Sequence, residues 1–192
     1  MPKVKETKIT IDGKEMFAYN HPRPSVAVDC VILGIEKPYL QDVKILLVTR
    51  GNEPYKGFWA LPGGFLEMHE TTAVAASREL LEETNVSINP KDMRLVGVYD
   101  RPGRDPRGRV ISIAYASPIL YIEDCELRAG SDAAKVGWVP ICTASEISFD
   151  HDRIIDDAIH SIPPKYLAGM LRHTNKEWVD NDERARGHIH PR

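Results

Sequence analysis

Residues 64–86 read GFLEMHETTAVAASRELLEETNV, and every other part of the chain is interpreted around this run. From residue 70 to 85 its apolar positions recur at helical spacing, which predicts a helix. At about 100° per residue, Ala73, Ala76, Leu80 and Thr84 fall within about 60° of one another with Val74 and Leu81 beside them, so this stripe is expected to face the core. Glu79, Glu82 and Glu83 fall at about 240°, 180° and 280°, on the opposite side. Spacings of three and four residues bring their side chains together.

A solvated helix face usually interleaves lysine with glutamate. Residues 67–83 instead hold five glutamates and a single base, Arg78. Glu82 and Glu83 also stand in the last turn, where the helix dipole disfavours negative charge by roughly 0.3–1 kcal/mol each. This imbalance calls for a cation. Carboxylate oxygens clustered without histidine or cysteine suit a hard divalent ion, Mg²⁺ or Mn²⁺, rather than zinc. The turn just ahead of the helix, Pro62-Gly63-Gly64, lets backbone approach closely and can offer a carbonyl to the same ion.

Gly64, five residues, Glu70, seven residues, then Arg78-Glu79-Leu80-Leu81-Glu82-Glu83-Thr84-Asn85-Val86 resembles the Nudix box at eight of its nine defined positions. The departure is Asn85 in place of glycine, and asparagine also tolerates the left-handed conformation that ends a helix. The resemblance implies a Nudix-type α/β/α sandwich with a mixed β-sheet. It makes Glu79, Glu82 and Glu83 metal ligands with the Gly63 carbonyl as a fourth, and Gly64, Glu70 and Arg78 structural members of the box. It further implies ions that polarise a diphosphate and activate a water for attack on phosphorus. Family members often draw the general base from a loop ahead of a late Trp-containing strand, which makes Asp132 the candidate, with Glu82 as the alternative.

The box leaves the substrate open, and residues 99–109 are more selective. Tyr99-Asp100-Arg101-Pro102-Gly103-Arg104-Asp105-Pro106-Arg107-Gly108-Arg109 holds four arginines, two prolines and two glycines. As plain structure it is a charged, turn-rich hairpin loop. As a site it is a stiffened clamp of arginine forks over an anionic ligand. Pro102, sixteen residues beyond Val86, resembles the ADP-ribose pyrophosphatase subgroup. The expected substrate is therefore a nucleoside diphosphate derivative, ADP-ribose first, with Arg50, Arg101, Pro102, Arg104 and Arg107 as substrate-binding residues. The same loop is similar to ADP-ribose-binding Nudix domains of NAD-metabolism regulators, which append a DNA-binding winged helix. The 28 residues after Pro164 are too few for that domain, so a sensor is the second expectation. NADH, oxidised dNTPs and coenzyme A are further substrates to weigh. For coenzyme A, residues 46–50 loosely resemble the upstream motif but miss its register by one at Thr49.

The remaining sequence frames this centre. Residues 8–20 suggest a hairpin about Asp12-Gly13, and residues 26–35 and 44–50 read as buried strands, although Asp29 sits unexplained inside the first. Strands are expected near 93–99, 110–116 and 136–139, and a second helix over 151–162 that Pro163-Pro164 stops. The span 36–50 leaves little room for a crossover helix, which disfavours a doubly wound dinucleotide fold. The expected organisation is one domain over 1–165, with 1–24 as a hairpin extension, and a polar tail over 166–192 whose His188 and His190 are incidental.

With 192 residues, 42% hydrophobic and 28% charged, the chain can bury one core. Twenty-five Lys and Arg against 28 Asp and Glu leave a formal charge of −3, too balanced for bulk electrostatic binding of nucleic acid. No run of eighteen apolar residues is present, and Cys30, Cys125 and Cys142 form no CxxC pair. A cytoplasmic protein with reduced thiols, no nucleic-acid partner and no membrane partner is expected; a homodimer is left open.

Overall fold

A computed structural model describes residues 6–19, 21–36, 43–130 and 133–161. The first two strands, β1 (Glu6–Ile11) and β2 (Lys14–Tyr19), form the antiparallel hairpin expected at Asp12-Gly13, both of which take positive φ. The body follows with β3 (Ser25–Val31), β4 (Leu33–Ile35), β5 (Lys44–Arg50), β6 (Trp59–Ala60) and β7 (Gly63–Phe65). Helix α1 (Thr72–Thr84) leads to β8 (Arg94–Tyr99), β9 (Val110–Ala116), β10 (Leu120–Tyr121), β11 (Ala133–Pro140) and finally α2 (His151–His160).

Both sheets of the body are mixed. One has the order β7-β3-β9-β8, in which β3 and β9 run parallel and the other pairs are antiparallel. The other follows β10-β4-β5-β11 with β6 added to β5, and only β4 and β10 are parallel. The apolar stretch read as one strand over 26–35 breaks at Ile32, which lets the chain pass from the first sheet to the second while its carbonyl still accepts from the Leu46 N–H at 2.9 Å.

Alternate residues of β3, β4 and β5 point to opposite faces. Val31, Leu33, Ile45 and Leu47 pack with Ile154, Ile155 and Ala158 of α2, whereas Cys30, Ile32 and Leu46 pack with Ala75, Ala76 and Leu80 of α1. Near-continuous aliphatic strands are what a sheet covered on both faces requires. The result is an α/β/α arrangement.

Helix α1 is capped by its own sequence. The Thr71 side chain accepts from the Val74 N–H, and Asn85 takes φ 64° while its N–H reaches the Leu81 carbonyl. Its buried face differs from the expected stripe: Ala75, Ala76, Leu80 and Thr84 are buried, but Val74 and Leu81 are exposed. The helix is rolled toward Glu79 and Glu83 because β7 lies against that side, and the Glu79 side chain is left only 14% exposed. Among the described residues no helix is long and apolar enough to cross a membrane. The expected tail over 166–192 and Asp132 lie outside the described residues.

Candidate active site

Arg78 organises the entrance to the box. Its Nε and Nη2 donate to Glu70 at 3.1 and 2.6 Å, Nη2 also reaches the Phe65 carbonyl at 3.3 Å, and Glu70 accepts from the Glu67 N–H at 2.9 Å. These bonds tie the loop 65–70 to the helix. The Arg78 hydrogen bond holds the Glu70 carboxyl below its ordinary range. The same guanidinium serves the acidic face, with Nη1 donating to Glu79 at 2.9 Å and to Glu82 at 3.2 Å. Burial raises the pKa of Glu79 in spite of that partner.

Glu79 and Glu83 also meet the Pro-Gly-Gly turn. A Cβ added to Gly64 would come within 2.4 Å of the Glu79 carboxylate, so a side chain at this position would displace that carboxylate. The Gly63 N–H donates to Glu83 Oε2 at 3.0 Å. In this arrangement the three carboxylates do not converge on one point: Arg78 holds Glu79 and Glu82, and Gly63 holds Glu83. The residues nevertheless fit a hard divalent ion. They offer an all-oxygen donor set, and a desolvated carboxylate with raised pKa gains from a nearby cation.

A cleft of about 250 Å³ opens beside this edge of α1. Gly63, Gly64, Glu83, Arg50, Arg104 and Arg107 all line it, so the box and the arginine loop share one cavity. Glu82 is 57% exposed and does not line the cleft, and neither do the exposed Arg101 and Pro102. Those two sit on the outer part of the loop, away from the position expected of substrate forks. Arg50 donates to the Pro54 carbonyl at 2.7 Å and lies 4.8 Å from the Phe149 ring centroid.

Arg104 and Arg107, alike in sequence, are placed differently. Arg107 is held edge-on by Asp105, at 3.0 and 3.2 Å from Nε and 2.7 Å from Nη2, and lies 5.4 Å from the ring centroids of both Phe65 and Phe149. Its side chain is 44% exposed and accessible to a ligand. Arg104 is 4% exposed and turned inward, with Nε and Nη2 on Asp150 at 2.6 to 3.1 Å and Nη2 3.8 Å from Asp29. The expected phosphate fork is, at Arg104, largely an interior ion pair. Two carboxylates compete for its donors and exclude it from the open part of the cleft.

The sequence reading missed part of this wall. Asp29, Asp105, Phe149 and His151 line the same cleft, and Asp150 backs it through Arg104. Ser112 donates a short hydrogen bond to Asp29, and His151 Nε2 stands 3.4 Å from it, which accounts for an aspartate inside an apolar strand. The lone Asp29 was the available signal; Phe149-Asp150-His151 reads as an ordinary helix start.

The sequence signature of the NUDIX domain matches residues 23–158. A protein of Methanocaldococcus jannaschii named ADP-ribose pyrophosphatase is 46% identical over 146 residues, 76% of this chain and 78% of that one. An Acinetobacter baylyi protein named ADPR responsive transcriptional repressor NtrR is 32% identical over 143 residues; the match covers 72% of this chain but only 54% of the repressor. Among solved structures, the NUDIX domain of Shewanella oneidensis NrtR complexed with ADP ribose superposes with a TM-score of 0.64 at 26% identity, covering 73% of this chain and 89% of that one. The carboxylates of α1, the arginine that braces them and the glycine turn against which they lie are thus the local geometry of a recognised domain, and this chain belongs to the NUDIX family.

Proposed function

We propose that this protein hydrolyses the diphosphate bond of ADP-ribose, releasing AMP and ribose 5-phosphate, with Mg²⁺ as its metal and Mn²⁺ as a substitute. The observation that carries the reading is the shared cleft: the Glu83 edge of α1 and the exposed Arg107 guanidinium face one cavity. The 46% identity to the archaeal protein named for this activity supports ADP-ribose over other diphosphates.

Glu79, Glu82 and Glu83, with the Gly63 carbonyl, are the residues that would hold the ion. Bound there, the ion offsets charge gathering on the phosphoryl oxygens and eases deprotonation of the attacking water. The chain does the rest. Arg78 and Glu70 brace the carboxylate-bearing helix against its loop, and Gly63 fixes the Glu83 rotamer. Arg107, pre-set by Asp105 between two aromatic rings, provides a planar fork for a phosphate. Arg50 lines the same cleft. Water attacks one phosphorus, the bridging P–O bond breaks, and a proton passes to a general base, for which Asp132 and Glu82 are the candidates.

The relative named as a repressor favours one alternative, a domain that binds ADP-ribose without turning it over. The assay that separates the two mixes purified protein with ADP-ribose, NADH, coenzyme A and oxidised dGTP, with and without Mg²⁺, and follows phosphomonoester products. Mg²⁺-dependent release of AMP with the highest kcat/KM for ADP-ribose is expected. Tight ADP-ribose binding without product would establish the sensor, and a tenfold preference for another compound would displace ADP-ribose. The balanced charge and the three free cysteines support a cytoplasmic protein without a nucleic-acid partner.

A further inference from the structure

Leu61-Pro62-Gly63 leads into the glycine turn, and both of its amides and the Pro62 carbonyl have defined partners. Proline has no N–H, so the segment offers two amide donors. The Gly63 N–H goes to Glu83 Oε2 at 3.0 Å, and the Leu61 N–H goes to His151 Nδ1 at 2.9 Å. Between them the Pro62 carbonyl accepts from the Cys30 N–H at 2.8 Å. His151 is 5% exposed and reaches this segment from the first turn of α2, across 90 residues of sequence.

The bond to Leu61 fixes the imidazole tautomer. An amide N–H can only donate, so Nδ1 must carry a lone pair, and the proton of the neutral ring sits on Nε2. Nε2 faces Asp29 Oδ1 at 3.4 Å. Asp29 is held in turn by Ser112 and by the Arg104–Asp150 pair, and its residue stands opposite Gly63 in the β3–β7 ladder. The approach is close: a Cβ on Gly63 would lie 2.1 Å from the Val28 carbonyl oxygen. A displacement at Leu61 therefore reaches Gly63 and the rotamer of Glu83.

We propose that His151 is a positioning residue for the hydrolytic site: through Nδ1 it sets the Leu61 amide, and thereby aims the Gly63 N–H that holds Glu83, while Asp29 orients the ring from the other side. This rests on the diphosphate-hydrolysis reading. His151 acts on the carboxylate through backbone.

Two variants of similar polarity test it. The amide oxygen of His151→Asn can replace Nδ1 as acceptor, whereas the longer His151→Gln places its amide near the Nε2 position. Loss of one such hydrogen bond corresponds to about tenfold in rate. His151→Asn is expected to stay within about threefold of wild-type kcat, and His151→Gln to fall at least about tenfold, with KM for ADP-ribose changed less than about threefold in both. In metal-free protein, the Leu61 and Gly63 amide resonances of ¹⁵N-labelled samples should stay near their wild-type shifts in His151→Asn and move in His151→Gln. Equal kcat losses in both variants, full activity of His151→Gln, or unmoved amides in His151→Gln would overturn the proposal. If the wild type turns over none of the four compounds, the hydrolase reading fails, and the amide shifts still decide whether His151 sets the turn.

Discussion

Glu83 is the residue at which charge and geometry can be separated. Glu83→Gln keeps an oxygen for the Gly63 N–H and removes only the negative charge. A kcat loss of at least about 10²-fold is expected, roughly 2.7 kcal/mol of transition-state stabilisation, with a melting temperature close to wild type. Steady-state kinetics at saturating Mg²⁺ check it, and full turnover would remove Glu83 from the ligand set. His151 makes a different prediction. Burial lowers its pKa, Asp29 and Asp150 pull it up, and Arg104 and Arg50 push it down, with a net shift downward. Above the unfolded-state value of about 6.5 the folded and unfolded forms are both neutral; below it the unfolded chain binds a proton that the folded site resists. Stability is therefore lost as pH falls from 6.5 toward the folded-state pKa. Between pH 7.5 and 5.5 the melting temperature of wild type should drop further than that of His151→Asn, and parallel pH profiles would contradict the assignment.

At the scale of elements, the C-terminal end of α1 is closed by a segment far along the chain. The Arg128 and Gly130 amides donate to the Thr84 and Glu83 carbonyls at 3.1 and 3.2 Å, and Asn85 Nδ2 reaches the Glu126 carbonyl at 2.9 Å. The Thr84 and Glu83 carbonyls are among the acceptors that a helix end leaves open. A Cβ at residue 130 would stand 2.3 Å from the Glu82 carbonyl oxygen, so only glycine lets the segment dock. Gly130→Ala should cost about 1–3 kcal/mol of stability and lower kcat, because it displaces the end of the carboxylate-bearing helix. Gly137→Ala, where an added Cβ meets nothing within 4 Å, is the control, and thermal melts of both variants decide it. The loop before α1 depends on one ion pair in the same way. Glu70→Gln weakens the bidentate hold of Arg78, and should lower the melting temperature more than it lowers kcat.

Across the whole molecule, the arginine loop divides between binding and architecture. Arg107→Ala should raise KM for ADP-ribose by about tenfold, since a charge-assisted hydrogen bond contributes roughly 1.5–3 kcal/mol. Arg104→Ala should behave otherwise. It strands Asp150 and Asp29 without their buried cation, which costs about 3–5 kcal/mol and lowers the melting temperature by roughly 10 °C. Calorimetry and kinetics on the two variants check this split, and an Arg104→Ala protein of native stability with raised KM would restore Arg104 as a phosphate ligand. Arg104 joins the loop before β9 to the start of α2, so the cleft wall holds together only when both have docked.

The sequence by itself determined what is local. A helix over residues 70–85, an asparagine able to end it, and the box positions of Glu70 and Arg78 all lie within 23 consecutive residues. Short-range periodicity is written in such a span, and the apolar runs read as strands are equally local, while the α/β/α layering was implied by the resemblance of the box. The roll of α1 toward Glu79 was not legible, because it depends on β7 lying against it. Nor were the separate places of Arg104 and Arg107, identical residues three apart in one loop. The partners that separate them, Asp150 for one and Asp105 for the other, are chosen by which carboxylate the folded core brings near. Asp29 and His151 meet only because β3 and the start of α2 border the same cleft. Contacts across such distances in sequence leave no periodic trace, and the tertiary structure alone decided them.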